Sequence, residues 1–182
     1  MNESLAAGHA AADLDPASVS IRRSLGWLYY HAGRYDTALQ HLQRAQAMDP
    51  TAAENHRILA IVYAAQGNLA AAEAAGREAV RLSSDGAVSV GLMAMITARA
   101  GRTGEARALL AGLLERAARE YVSPVALGTA YLGLGELDAA LGELERAYRE
   151  RRGWVVYLDV EYLFAPLRGH PRFEELRRRL AL

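Results

Sequence analysis

Five histidines, His9, His31, His41, His56 and His170, are the side chains best suited to acid–base or metal chemistry near neutral pH. A helical metal pair requires two of them three or four positions apart, and no two have that spacing. No cluster of carboxylates accompanies them. The chain has no cysteine, which excludes thiolate zinc sites, disulfides and a thiol nucleophile. No serine stands in a G-x-S-x-G setting. Gly128, Gly133 and Gly135, and the run Gly101-Arg102-Thr103-Gly104, come nearest to a phosphate loop, but they follow no strand and no G-x-x-x-x-G-K motif occurs. With no convergent catalytic set, the chain reads as a non-enzyme without cofactor or metal.

The elements that position these residues follow from an internal repeat. Gly33, Gly67, Gly101 and Gly135 are spaced by 34 residues, as are Ala38, Ala72, Ala106 and Ala140. A third column holds Leu25, Leu59, Met93 and Leu127, each followed by a small residue: Gly26, Ala60, Ala94 and Gly128. Tyr29, Tyr63 and Tyr131 form another, interrupted by Thr97. Apolar residues recur at three- and four-residue steps within each half, the helical period. The pattern predicts pairs of antiparallel helices. The small columns mark close backbone approach, and the glycine column suits left-handed helix ends. Asp49-Pro50 closes one unit, Asp15-Pro16 lies 34 residues earlier, and Ser123-Pro124 predicts a capped helix start.

These columns resemble the tetratricopeptide repeat, whose pattern is W-x2-L-G-x2-Y, then A-x3-F, then P. Leu25, Gly26, Tyr29, Ala38, Leu42 and Pro50 match it in the first repeat, and Leu127, Gly128, Tyr131, Ala140 and Leu144 in the last. The Trp column instead holds Arg22, His56, Val90 and Pro124. The third repeat has Thr97, Leu113 and Ala118 at pattern positions, which predicts less regular packing there. The resemblance implies an all-α fold, an α-α superhelix of antiparallel helix pairs with a C-terminal capping helix. Full repeats would span 19–52, 53–86, 87–120 and 121–154. Residues 1–18 read as the second helix of a preceding half repeat, and 155–182 as a capping segment. A half repeat leaves an apolar face without its neighbour, so this end is expected to pack on another domain or subunit. Self-association through it is one such outcome.

In arrays of this family the first helix of each repeat lines a concave ligand groove. Carried over by register, the groove residues are Arg23, Trp27, Tyr30 and His31; Glu54, Arg57 and Ile61; Met95 and Arg99; and Val125, Thr129 and Leu132. An arginine rim beside an aromatic and apolar floor suits an extended peptide or protein partner with an acidic group. Trp and Arg are frequent interface anchors. Packing of Trp27 on Tyr30 and simple solvation of Arg23 and Arg57 are the alternative readings. Repeats that clamp acidic chaperone tails use Lys and Asn at set groove positions. This chain has Arg23 and Trp27 there, then Ile58, Val88 and Leu92, so that clamp is missing.

The tail resembles one found on many bacterial tetratricopeptide proteins, roughly W-x3-L, then F-x-P-L-R-x-x-P-R-F and a basic helix. Trp154, Leu158, Phe164, Pro166, Leu167, Arg168, Pro171, Arg172, Phe173, Leu176 and Leu182 fall in register. Trp154 to Leu163 reads as one further helix. Pro166, Phe173 and Leu176 are expected to cover the last repeat while Arg177, Arg178 and Arg179 face solvent. A sharper alternative gives Arg168 and Arg172 an acidic ligand. In that group the repeats often follow a kinase, a nucleotide cyclase or a winged-helix regulator, so the chain also reads as the regulatory arm of a bacterial signalling protein.

Composition narrows the partner class. Over 182 residues, 21 basic side chains, all arginine, balance 21 acidic ones. A neutral chain lacks the field that drives sequence-independent nucleic-acid binding. The uncharged apolar stretch Ala87 to Ala98, like every other uncharged run, is shorter than the roughly 18 residues of a membrane span. The opening Met-Asn-Glu-Ser has an acid where a signal peptide has a base, so a cytoplasmic location is expected.

Overall fold

The computed structural model of the chain describes residues 2–83, 86–151 and 161–180. It separates into two compact units, Met1–Ser84 and Asp85–Leu182. The first holds α1 (Asn2–Leu14), α2 (Val19–His31), α3 (Tyr35–Met48), α4 (Ala53–Ala65) and α5 (Leu69–Leu82). The second holds α6 (Ala87–Arg99), α7 (Thr103–Ala117), α8 (Pro124–Gly133), α9 (Leu137–Arg149), a 3-10 turn (Tyr162–Leu167) and α10 (Pro171–Leu180). No strand occurs among the described residues, so the fold is all-α.

The recurring glycines end helices. Gly33, Gly67, Gly101 and Gly135 all have positive φ, from 71° to 81°. In each case the next residue's N–H reaches back to the Tyr/Thr column, as in Arg34 N to Tyr29 O at 2.9 Å and Glu136 N to Tyr131 O at 3.0 Å. That i to i−5 bond satisfies carbonyls a helix end leaves unpaired, and it turns the chain directly into the partner helix. Helix starts are less uniform. Asn68 accepts from Ala71 N at 3.2 Å. At α8, Ser123 caps nothing with its hydroxyl; the Ala126 N–H goes instead to the Ser123 carbonyl at 3.0 Å. The α3–α4 turn is fixed by Asp49 Oδ1, which accepts from Thr51 N at 3.0 Å, and by the His56 ring, 2.9 Å from Pro50 O.

Small residues set the distance between helices. A Cβ on Gly26 of α2 would lie 2.5 Å from Leu42 Cγ and 3.2 Å from Ala38 O, both on α3. In the second unit the same device joins α6 to α8 at two points. A Cβ on Gly91 would stand 2.2 Å from Ala126 O, and one on Gly133 would stand 2.3 Å from Met95 Cα. Backbone meets backbone there, and the run from Gly91 to Thr97 is buried throughout. Ala94, Leu110, Leu113, Ala126 and Leu127 form one core.

The tail covers a second core, in which Val125, Leu132, Leu141 and Leu144 of α8 and α9 gather with Phe164, Leu167, Phe173 and Leu176. Phe173 and Leu176 are buried as expected, but Pro166 is exposed, and Phe164 and Leu167 provide the cover instead. The turn explains this: Pro166 lies between Phe164 and Leu167 in a helix too tight to bury all three. Arg178 and Arg179 are exposed and Arg177 is half-buried beside Glu174. The tail positions Trp154, Leu158 and Leu182, and most of the further helix expected from Trp154 to Leu163, lie outside the described residues.

Gly91→Ala should destabilise the second unit by about 2–3 kcal/mol, because the added methyl meets backbone that cannot rotate away. Gly112→Ala, exposed on α7 with nothing within 4 Å, should instead stabilise by about 0.5–1 kcal/mol through helix propensity. Urea unfolding followed by circular dichroism separates the two, and equal effects would contradict the backbone contact.

Candidate functional site

In the first unit, the outward residues of α2 form an aromatic platform. Trp27 stacks on Tyr30 with ring centroids 5.2 Å apart and meets His31 edge-on at 4.4 Å. Three- and four-residue spacing on one helix makes these contacts possible. Tyr35, at the start of α3, tilts against Tyr30 at 5.9 Å. Tyr30 is buried, at 3% exposure, whereas Trp27 and His31 are half-buried. The buried tyrosine therefore acts as a base on which the Trp27 indole is held.

Charged residues flank the platform. Arg23 donates to Asn55 Oδ1 at 3.5 Å, linking α2 to α4, and Asn55 donates in turn to Asp49 O at 3.4 Å. Sequence reasoning missed Asn55, although a polar residue inside the apolar run of α4 was its signal. It is fully buried. Arg57 binds Glu54 with two donors, the Nε to Oε2 distance being 3.0 Å. Such a pairing fixes the guanidinium plane more than it adds stability, since exposed pairs contribute about 0–1 kcal/mol.

The remaining expected groove residues lie elsewhere. Ile61 and Met95 are buried at 1% and 0% exposure, and Val125, Thr129 and Leu132 are buried too. They are core, which corrects their assignment to a ligand-facing floor. Two physical causes act in the second unit. Gly91 and Gly133 draw α6 against α8, and the tail then covers Val125 and Leu132. Thr129 spends its hydroxyl on Val125 O at 2.7 Å. Arg99 stays at the surface, but its guanidinium lies 5.7 Å from the Tyr162 ring centroid, held by the tail. Gly91 occupies the repeat position of Arg23 and Arg57, so the loss of a groove here had a sequence signal.

Arg172, considered as a ligand for an acidic group, is bound within the chain. It donates to both carboxylate oxygens of Glu145 at 3.0 Å and to Asp138 at 3.2 Å. Those bonds hold the Glu145 carboxyl below the usual range. Arg172 is thus a docking residue for α10 on α9. Arg168 is exposed. Among the described residues, no three His, Asp or Glu side chains are arranged to hold a metal ion, and no helix is long and apolar enough to cross a membrane.

Three sequence profiles described as tetratricopeptide repeat match the chain, over residues 2–53, 29–96 and 125–147. The chain is built on tetratricopeptide repeats. The matched spans include α2 with its platform and the paired α8 and α9. No curated protein sequence matches this repeat protein. Among solved structures, that of MamA aligns with a TM-score of 0.54 at 22% identity, over 84% of this chain and 90% of that one. At that identity the likeness establishes a shared all-α fold.

If the tail is held chiefly by its buried aromatics, Phe173→Ala should destabilise the second unit by about 3–5 kcal/mol. Arg172→Ala should shift the unfolding midpoint far less, by an amount that shrinks with added salt. A larger loss from Arg172→Ala would place the docking energy in the ion pairs.

Proposed function

We propose that this tetratricopeptide-repeat chain is a non-catalytic protein-interaction scaffold whose partner surface is the Trp27 face of the first unit. The observation that carries the reading is the Trp27 indole, half-buried and stacked on a buried Tyr30, with Arg23 and Arg57 on the neighbouring α2 and α4 positions. A partly exposed aromatic fixed from beneath offers contact area at small conformational cost. The two guanidiniums add selection for an acidic group, Arg57 by exchanging Glu54 for the partner's carboxylate. His31 and Glu54 complete the rim. The partner is an extended peptide or a protein segment with an aromatic or apolar anchor beside an acid, met in the cytoplasm. The F-x-P-L-R-x-x-P-R-F tail supports a bacterial setting and the neighbourhood of a signalling domain.

An array of immobilised acidic peptides, probed with the full chain and with Trp27→Ala and Arg57→Glu variants, tests this. Binding should weaken about tenfold or more in Trp27→Ala, the loss expected for an interface anchor. In Arg57→Glu it should fall selectively for the most acidic peptides. Identical binding by all three proteins would remove this face as the working surface.

A further inference from the structure

The opposite side of α2 carries a different chemistry. Arg22 and Tyr29 are seven positions apart, two helical turns, and so share one face; Trp27 lies roughly 140–160° round the helix from them. On that face α1, α2 and α3 bring two imidazoles and a phenol together. The His9 ring Nε2 is 2.7 Å from Tyr29 Oη, and the His41 ring stacks on Tyr29 at 5.2 Å between centroids. The two imidazoles are 6.0 Å apart. Arg34 lies over the other part of the cluster, 4.8 Å from the Tyr29 centroid.

Many arginines elsewhere are tied to acids, as in Arg57–Glu54, Arg81–Glu78 and Arg172–Glu145. Here they are not. Among the described residues Arg22, Arg34 and Arg44 form no ion pair, although Glu3 and Asp13 stand on α1 and Asp36 on α3. Asp36 is taken by Gln66 at 2.9 Å. The Arg22 Nε is buried and meets no hydrogen-bond acceptor, a state that costs free energy unless an acceptor arrives. Burial first, then the nearby charges of Arg22, His9 and Arg44, hold the His41 imidazole below its ordinary pKa, and no carboxylate opposes them. His9 and Arg44 are exposed, so the corner is open to solvent.

We propose that this corner binds a phosphate-class oxyanion, carried free or on a phosphorylated side chain. Two guanidiniums beside the two imidazoles exceed what one carboxylate neutralises, and they match a tetrahedral group carrying about −1.5 to −2 charges. The anion accepts from Arg22, including the buried Nε, and from Arg44, while Tyr29 fixes the His9 ring through its hydroxyl and Arg34 steadies the Tyr29 face. Protonation of His41 becomes favourable once the anion is present, so binding takes up protons.

The test follows the His9 and His41 ring resonances of the full chain by NMR during titration with inorganic phosphate, a phosphoserine peptide and its unphosphorylated counterpart. Saturable shifts with the phosphorylated ligands, near ~1 mM for inorganic phosphate, are expected. They should vanish in R22Q/R44Q and persist in R178Q, all three proteins unfolding at similar urea concentrations. Tighter binding of the peptide assigns the anion to a modified protein, and tighter binding of inorganic phosphate assigns a free ligand. Sulfate, whose charge is constant over the range, should bind about tenfold more tightly at pH 6 than at pH 8. Absence of a saturable shift, a shift that survives R22Q/R44Q, or sulfate affinity that does not rise as pH falls overturns the proposal.

Discussion

Everything in this chain depends on how closely two helix backbones can approach, and that is decided where side chains are missing. Gly26 lets α2 lie against Ala38 and Leu42 of α3, where an added Cβ would meet Leu42 Cγ at 2.5 Å. That contact builds the α2–α3 pair. When glycine appears instead at Gly91 and Gly133, the same closeness arises between helices of successive pairs, α6 and α8. A surface that would otherwise stand open becomes interior. The difference between a platform in the first unit and a core in the second thus follows from side chains present in one place and absent in the other.

Charge is organised just as locally. Many acids meet an arginine three or four positions away in the chain, as in Arg77–Glu73, Arg81–Glu78 and Arg179–Glu175. Such pairs cancel charge within a turn and contribute little each. Because every cation is arginine, each keeps its charge under any accessible pH and presents a planar set of donors. Against this neutral background, the guanidiniums without an acid acquire meaning from their setting, not from their number.

Much of the architecture was legible because a repeat reports equivalence. The glycine column forced positive φ at four equivalent helix ends, and the columns of Leu25 and Ala38 lie buried. Equivalence of position is not equivalence of environment, however. Trp27, Ile61, Met95 and Thr129 share a column, yet only Trp27 keeps an exposed part, because burial depends on what stacks above each helix. The replacement of arginine by Gly91 in its own column carried that information. Asn55 and the His9–Tyr29–His41 contact were harder to see, since they join residues 12 to 32 positions apart that no column relates. Pro166 illustrates a third limit: a motif fixes which residues recur, while turn geometry decides which of them faces inward.

The covered end of α8 and α9 has a further consequence for assembly. Helix-pair arrays stack by presenting the same kind of face at either end, so an uncovered last pair is a template for a second copy, and head-to-tail stacking of that sort yields open filaments. Here Phe164, Leu167 and Phe173 fill that template from within the chain. Polymerisation through this face would first have to displace them. The tail thus occupies, from within the chain, the face on which a further helix pair would stack.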